Sequence, residues 1–151
     1  MIFEKNEICF FLKDNEYGWL SNFFYSPIMI GGKEYKTVEH YYQSRKTDNE
    51  EMREWIRNAP KPFLAMRAGR SLRPTDGFRD DWEDIKEFVM LTGLRAKFKQ
   101  NEILRTKLLN TGSVILHEDN PFDKYWGMNG KDRLGKLLMI VREQLRENEN
   151  G

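Results

Sequence analysis

Cysteine and histidine are scarce in this chain: Cys9 is the only cysteine, and His40 and His117 are the two histidines among 151 residues. A single cysteine rules out an internal disulfide. Set in the apolar run ICFFL, it reads as a buried strand thiol. These three residues make no metal-ligand spacing, so no metal and no cofactor is expected. An excess of charge is also missing. Lys and Arg total 25 against 24 Asp and Glu, a net +1, which gives no charge-based case for non-specific nucleic-acid or membrane binding. No apolar run approaches the roughly 20 residues of a membrane helix, and MIFEKNE is not a signal peptide. The expectation is a cytoplasmic protein without a membrane partner. GMNGK fails the spacing of a phosphate-binding GxxxxGK[ST] loop, and Ser21 has no G-x-S-x-G context for a serine hydrolase. There is no repeat, linker or low-complexity tract except a polar tail from about residue 146, RENENG.

What is present is an ordinary globular composition, 39% hydrophobic and 32% charged. The length suits one domain, 1–151. ICFFL is a strand candidate. SPIMIGGKEYK reads as a hairpin turning on Gly31-Gly32, which tolerate positive φ. Thr37 N-caps a helix with Glu39 in its first turn. Asp48 followed by Glu51 forms a capping pair for a second helix ending near Asn58. A short helix FLAMRAGR follows. Asp81 begins the longest helix, whose buried face is expected at Trp82, Ile85, Val89, Thr92 and Ala96. NEILRTKLLNTG is a helix closed by Gly112, SVILHE a strand, and LGKLLMIVREQLRE an amphipathic final helix. Early strands and later helices make the class α+β, helix-rich, with a small antiparallel sheet.

Two stretches carry candidate chemistry. In TVEHYYQSRK, Glu39, Gln43 and Lys46 share one helical face at i, i+4 and i+7. They make a polar wall for a ligand or, on the plainer reading, a solvated helix face. In HEDNPFDKYWGMNGKDRLG, Asp123 stands three residues before Trp126, and Gly127 and Gly130 allow close backbone approach to a ligand. The free N–H groups of the following helix suit a phosphate, aided by Lys131 or Arg133. The plainer reading is a Trp closing the core edge with Asp123 as a turn residue. Arg70, Arg73 and Arg79 suit an anionic substrate, or else surface ion pairs of small worth.

Taken in order, YGWLSNF, GKEYKTVEHYYQSRK, AMRAGR, DDWEDIKEFVMLTGLRAKFKQNEILRTKLLNTG and YWGMNGKDRLGKLLMIVREQL make the chain resemble the YbiA-like, or NADAR, superfamily from about Ile8 to Leu145. The E-H-Y-x-Q-x-x-K, LSNF and D-x-x-W-G-x-x-G motifs are specific jointly. The resemblance implies a metal-independent N-glycosidase. One branch of the family cleaves phosphorylated ribosylaminopyrimidines of early riboflavin synthesis, and another removes ADP-ribose from guanine in nucleic acid. Glu39 matches the family's catalytic glutamate and Asp123 its second essential carboxylate. Trp82 and Trp126 match pocket aromatics, and Ser21, Asn22 and Phe23, with Trp19 just before them, match the segment near the ribose. Gln43, Lys46, Arg70 and Gly127 are further substrate-binding candidates. The loop between Trp126 and Leu134 is shorter here than in many relatives, and Asp80-Asp81 stands where relatives often carry a basic or polar pair.

The reaction explains such residues. N-riboside cleavage develops oxocarbenium character, so a site must stabilise positive charge, activate water and protonate the departing nitrogen. Two carboxylates acting on one N-riboside would have to face one cavity. A module that binds ADP-ribose or a nucleotide without cleaving it is the alternative, and it predicts a missing carboxylate.

Overall fold

The computed structural model describes residues Asn6–Asn150. They contain six α-helices and four short strands. The chain divides into two compact units, Tyr25–Lys97 and the segments on either side of it.

In Tyr25–Lys97, β2 (Ile28–Ile30) and β3 (Lys33–Tyr35) form the expected antiparallel hairpin, with Ile30 opposite Lys33. Gly31 and Gly32 turn it at φ of 61° and 79°, a region open to glycine at little steric cost. Next comes α1 (Val38–Ser44), capped by Thr37 Oγ1, which accepts the His40 N–H at 3.1 Å. The helix α2 (Glu50–Arg57) is capped by Asn49, not by the expected Asp48: Asn49 Oδ1 accepts the Met52 N–H. Thr47 selects the cap, because its hydroxyl holds the Asn49 N–H and the Asp76 carbonyl and so sets the chain one residue later. Pro62 opens α3 (Pro62–Arg70), where a missing N–H costs nothing. Ile56, Ala59 and Ala65 pack together beneath α2 and α3.

The long helix α4 (Trp82–Gln100) begins in this unit. Trp82 and Val89 are buried as expected. Ile85, Thr92 and Ala96 are only half-buried, and Met90, Gly93, Leu94, Lys97 and Phe98 are buried instead. The buried stripe therefore runs beside the expected one. A polar Lys97 hid it, since a lysine does not register in an apolar pattern.

In the other unit, β1 (Glu7–Phe10) pairs with β4 (Ile115–Glu118) in parallel, Cys9 opposite His117. This parallel pair adds to the antiparallel hairpin anticipated from sequence. Alternation along β1 buries Phe10 and leaves Cys9 exposed, which corrects the expectation of a buried thiol. Helices α5 (Glu102–Asn110) and α6 (Arg133–Asn150) complete the unit, with α6 packed on β4 and α5. Leu116, Leu134 and Leu138 are fully buried there. Burying one such side chain contributes about 1.5–3 kcal/mol.

Candidate functional site

The expected site residues fall in both units. In Tyr25–Lys97, the helix α1 carries most of them. All seven of its residues are buried, including Glu39, His40 and Gln43. The solvated-face reading of this segment is thereby excluded. Glu39 is 8% exposed and Gln43 3%. Gln43 Nε2 donates to Glu39 Oε2 at 2.7 Å, one helical turn apart. A buried carboxylate is stable only with such a donor, since loss of water must be offset by hydrogen bonding.

His40 holds the helix from behind. Its Nε2 faces the Ala59 carbonyl at 3.0 Å and its Nδ1 faces Thr37 Oγ1 at 2.8 Å. A carbonyl only accepts, so Nε2 carries a proton. Burial lowers the His40 pKa, partly opposed by the Ala59 bond and aided by the Lys36 charge.

Past the end of α1, Lys46 Nζ lies 5.5 Å from the Tyr42 ring centre and 5.9 Å from that of Trp82. The two rings meet edge to face at 5.0 Å. Trp82 is buried, so Tyr42, Trp82 and the Lys46 ammonium make a cationic corner with aromatic walls. Arg70 ends α3 on the surface. Of the other two arginines, Arg73 pairs with Asp76, and Arg79 with Asp81 and Asp48. A groove of about 440 Å³ in this unit is lined by Met52, Trp55, Ile56, Ala68 and Leu72 among others; of the expected residues it includes Arg73, which is paired with Asp76 there, and neither Glu39 nor Trp82.

In the other unit, Trp19 is buried edge-on against Phe98 at 6.3 Å, with Lys107 Nζ 5.8 Å from its ring centre. Ser21 and Asn22 are buried next to it, and Ser21 Oγ accepts the Phe23 N–H at 3.1 Å, holding the turn. Phe23 is half-buried.

The loop before α6 is organised by Asp123. Its Oδ1 accepts the N–H groups of both Tyr125 and Trp126 at 2.9 Å. That leaves the carboxylate half-buried and Trp126 buried, edge to face with Tyr125 at 4.9 Å. The glycines serve the loop's own backbone. A β-carbon at Gly127 would overlap the Asn120 and Asp123 carbonyls, and one at Gly130 the Lys124 carbonyl. The helix N-terminus is less available to a phosphate than expected. The Arg133 and Leu134 N–H groups are taken by the Tyr125 and Trp126 carbonyls at 3.2 Å.

Sequence reading passed over Asp132, which adopts a φ of 56° and receives His117 Nδ1 on its Oδ2 at 2.6 Å. The signal was available in the sequence: an aspartate just before a helix, with a histidine on the preceding strand. Among the described residues, no three His, Cys, Asp or Glu side chains are grouped to hold a metal ion.

Comparison with known proteins places the chain in a class. The NADAR domain model matches residues 9–146. The chain therefore belongs to the NADAR domain family, and the class its curated relatives define is the N-glycosidase. It is 44% identical to N-glycosidase YbiA of Escherichia coli (strain K12) over 142 residues, covering 91% of this chain and 88% of that protein. It is 36% identical to N-glycosidase Npun_R5314 of Nostoc punctiforme, covering 86% of each. Riboflavin biosynthesis protein VVA0006 of Vibrio vulnificus is 37% identical, and the match spans 93% of this chain but 39% of that one. The NMR structure of the E. coli protein YbiA superposes with a TM-score of 0.85 at 43% identity, covering 95% of this chain and 86% of that one.

Proposed function

We propose that this chain hydrolyses the N-ribosyl bond of a phosphorylated ribosylaminopyrimidine, with Glu39 and Asp123 as the two reacting carboxylates. The observation that carries the reading is the buried Glu39 carboxylate, held by Gln43, in a chain of the N-glycosidase class. In the reaction the bond from C1′ to nitrogen breaks, a water oxygen bonds C1′, and the water's proton is shed as the amine nitrogen takes one up. One carboxylate stabilises the positive sugar and the other handles the proton. Trp82 and Trp126 are buried, which suits walls that exclude water. Ser21, Asn22 and Phe23, beside Trp19, serve the ribose, and Lys46, Arg70 and Gly127 the phosphate and base. The small-molecule substrate is favoured by the relative named for riboflavin biosynthesis and by the near-zero net charge. The family match runs through both units, which supports one functional domain over 1–151. Among the described residues no helix is long and apolar enough to cross a membrane; a cytoplasmic location belongs to the same proposal.

The test is product analysis. Purified protein is offered the ribosylaminopyrimidine phosphate and, separately, an oligonucleotide bearing ADP-ribosyl guanine. Release of ribose 5-phosphate from the first is the expected result. Turnover of the oligonucleotide alone moves the enzyme to the other substrate branch. Tight binding of ADP-ribose with no cleavage of either rejects hydrolysis in favour of a binding module.

A further inference from the structure

We propose that Gly69 and Gln43 act together as positioning residues for Glu39, an inference that rests on Glu39 being catalytic. The Gln43 amide has a forced orientation towards the ionised group: as a carboxylate Glu39 only accepts, so the amide nitrogen faces it and the oxygen faces away. That oxygen, Oε1, is buried, receives no hydrogen bond, and lies against Gly69 of α3. A β-carbon at Gly69 would overlap Oε1 and crowd Gln43 Cδ. Glycine is the poorest helix former after proline, yet it stands as the buried residue of the last turn of α3. Its lack of a side chain lets α3 close on the amide from behind. The amide then cannot rotate away from Glu39, and the carboxylate is fixed in one rotamer. Gln43 thus serves the carboxylate and not the substrate directly.

The consequences are specific. A methyl at Gly69 turns the amide and breaks its bond to Glu39. The carboxylate loses a donor to its charged form, so its pKa rises. The limb of the pH–rate profile that Glu39 sets moves to higher pH, whether the group acts as base or acid. A displaced catalytic group costs about 10²-fold in kcat, and KM changes little because no substrate contact is lost.

The experiment compares Gly69→Ala, Gln43→Met, the double variant Gly69→Ala/Gln43→Ala, and Glu39→Gln. Gly69→Ala and Gln43→Met should each lower kcat about 10²-fold with the pH limb shifted upward. The double variant removes the overlap with the amide and leaves only the tight contact between the two β-carbons, so its melting temperature should recover in part towards wild type while kcat stays low. Should Gly69→Ala not fold, Gln43→Met carries the same two readouts. Recovery of kcat together with stability in the double variant means the pair is merely structural and overturns the proposal. An inactive Glu39→Gln beside wild-type kcat and pH profile in Gly69→Ala and Gln43→Met overturns it alone. Wild-type turnover by Glu39→Gln overturns it together with the catalytic reading.

Discussion

At the scale of single residues, burial of ionisable groups decides how this protein responds to pH. His40 is fully enclosed, and burial lowers its pKa below the ordinary 6.5. The unfolded chain therefore takes up a proton before the folded one does. The His40 contribution is complete above about pH 6.5 and is lost as pH falls towards the lowered folded value. We expect the denaturant midpoint to drop between pH 7 and pH 5, and the drop to shrink in His40→Gln. Lys97 acts in a higher window with the same sign. Complete burial pushes its pKa down from 10.5 to about 7. Between those values the unfolded chain holds a proton that the folded chain does not, so stability rises with pH from about 7 towards 10. Replacing Lys97 by Met should flatten this slope. An unchanged slope between pH 7.5 and pH 9.5 would show that the ammonium stays charged inside the fold.

At the scale of elements, close backbone contacts fix the packing. In α6, Gly135 faces β4: a β-carbon there would overlap the Leu116 carbonyl. Backbone cannot rotate aside as a side chain can. Gly135→Ala should therefore destabilise by about 1–3 kcal/mol, as overpacked cores do, and urea unfolding measures it. The same scale shows what the sequence could and could not express. The hairpin was legible because two adjacent glycines between apolar runs admit few other structures. The start of α1 was legible because Thr37 supplies a cap. The burial of α1 was not, because Glu39, His40, Gln43 and Ser44 look like surface residues until their partners are known. Those partners, Ala59 for His40 and Gly69 for Gln43, lie well along the chain. The capping residue of α2 was missed by one position because Asp48 and Asn49 are both good caps, and the choice was made by the Thr47–Asp76 bond. In the loop, the glycines mark positions of close approach, which the carbonyls of Asn120, Asp123 and Lys124 make. Nothing local could reveal that the approaching group is the loop's own backbone.

At the scale of the whole molecule, the proposed reaction draws its two carboxylates, Glu39 and Asp123, from different units of the chain. Kinetics tests their joint action. Each carboxylate should cost roughly 10²–10⁴-fold in rate when neutralised. Glu39→Gln keeps the shape of the side chain in a buried helix. Asp123→Asn keeps Oδ1 as an acceptor for the Tyr125 and Trp126 N–H groups, so the loop retains its turn. Asp123→Ala lacks that acceptor and should lower the melting temperature as well, which separates the structural role of Asp123 from the chemical one. Groups that act as a unit lose their effect together. The double variant Glu39→Gln/Asp123→Asn should therefore be about as slow as the slower single variant. Losses that multiply would mean that the two carboxylates contribute independently. A wild-type rate in Asp123→Asn would leave Asp123 as the turn residue that holds Trp126, with Glu39 working alone.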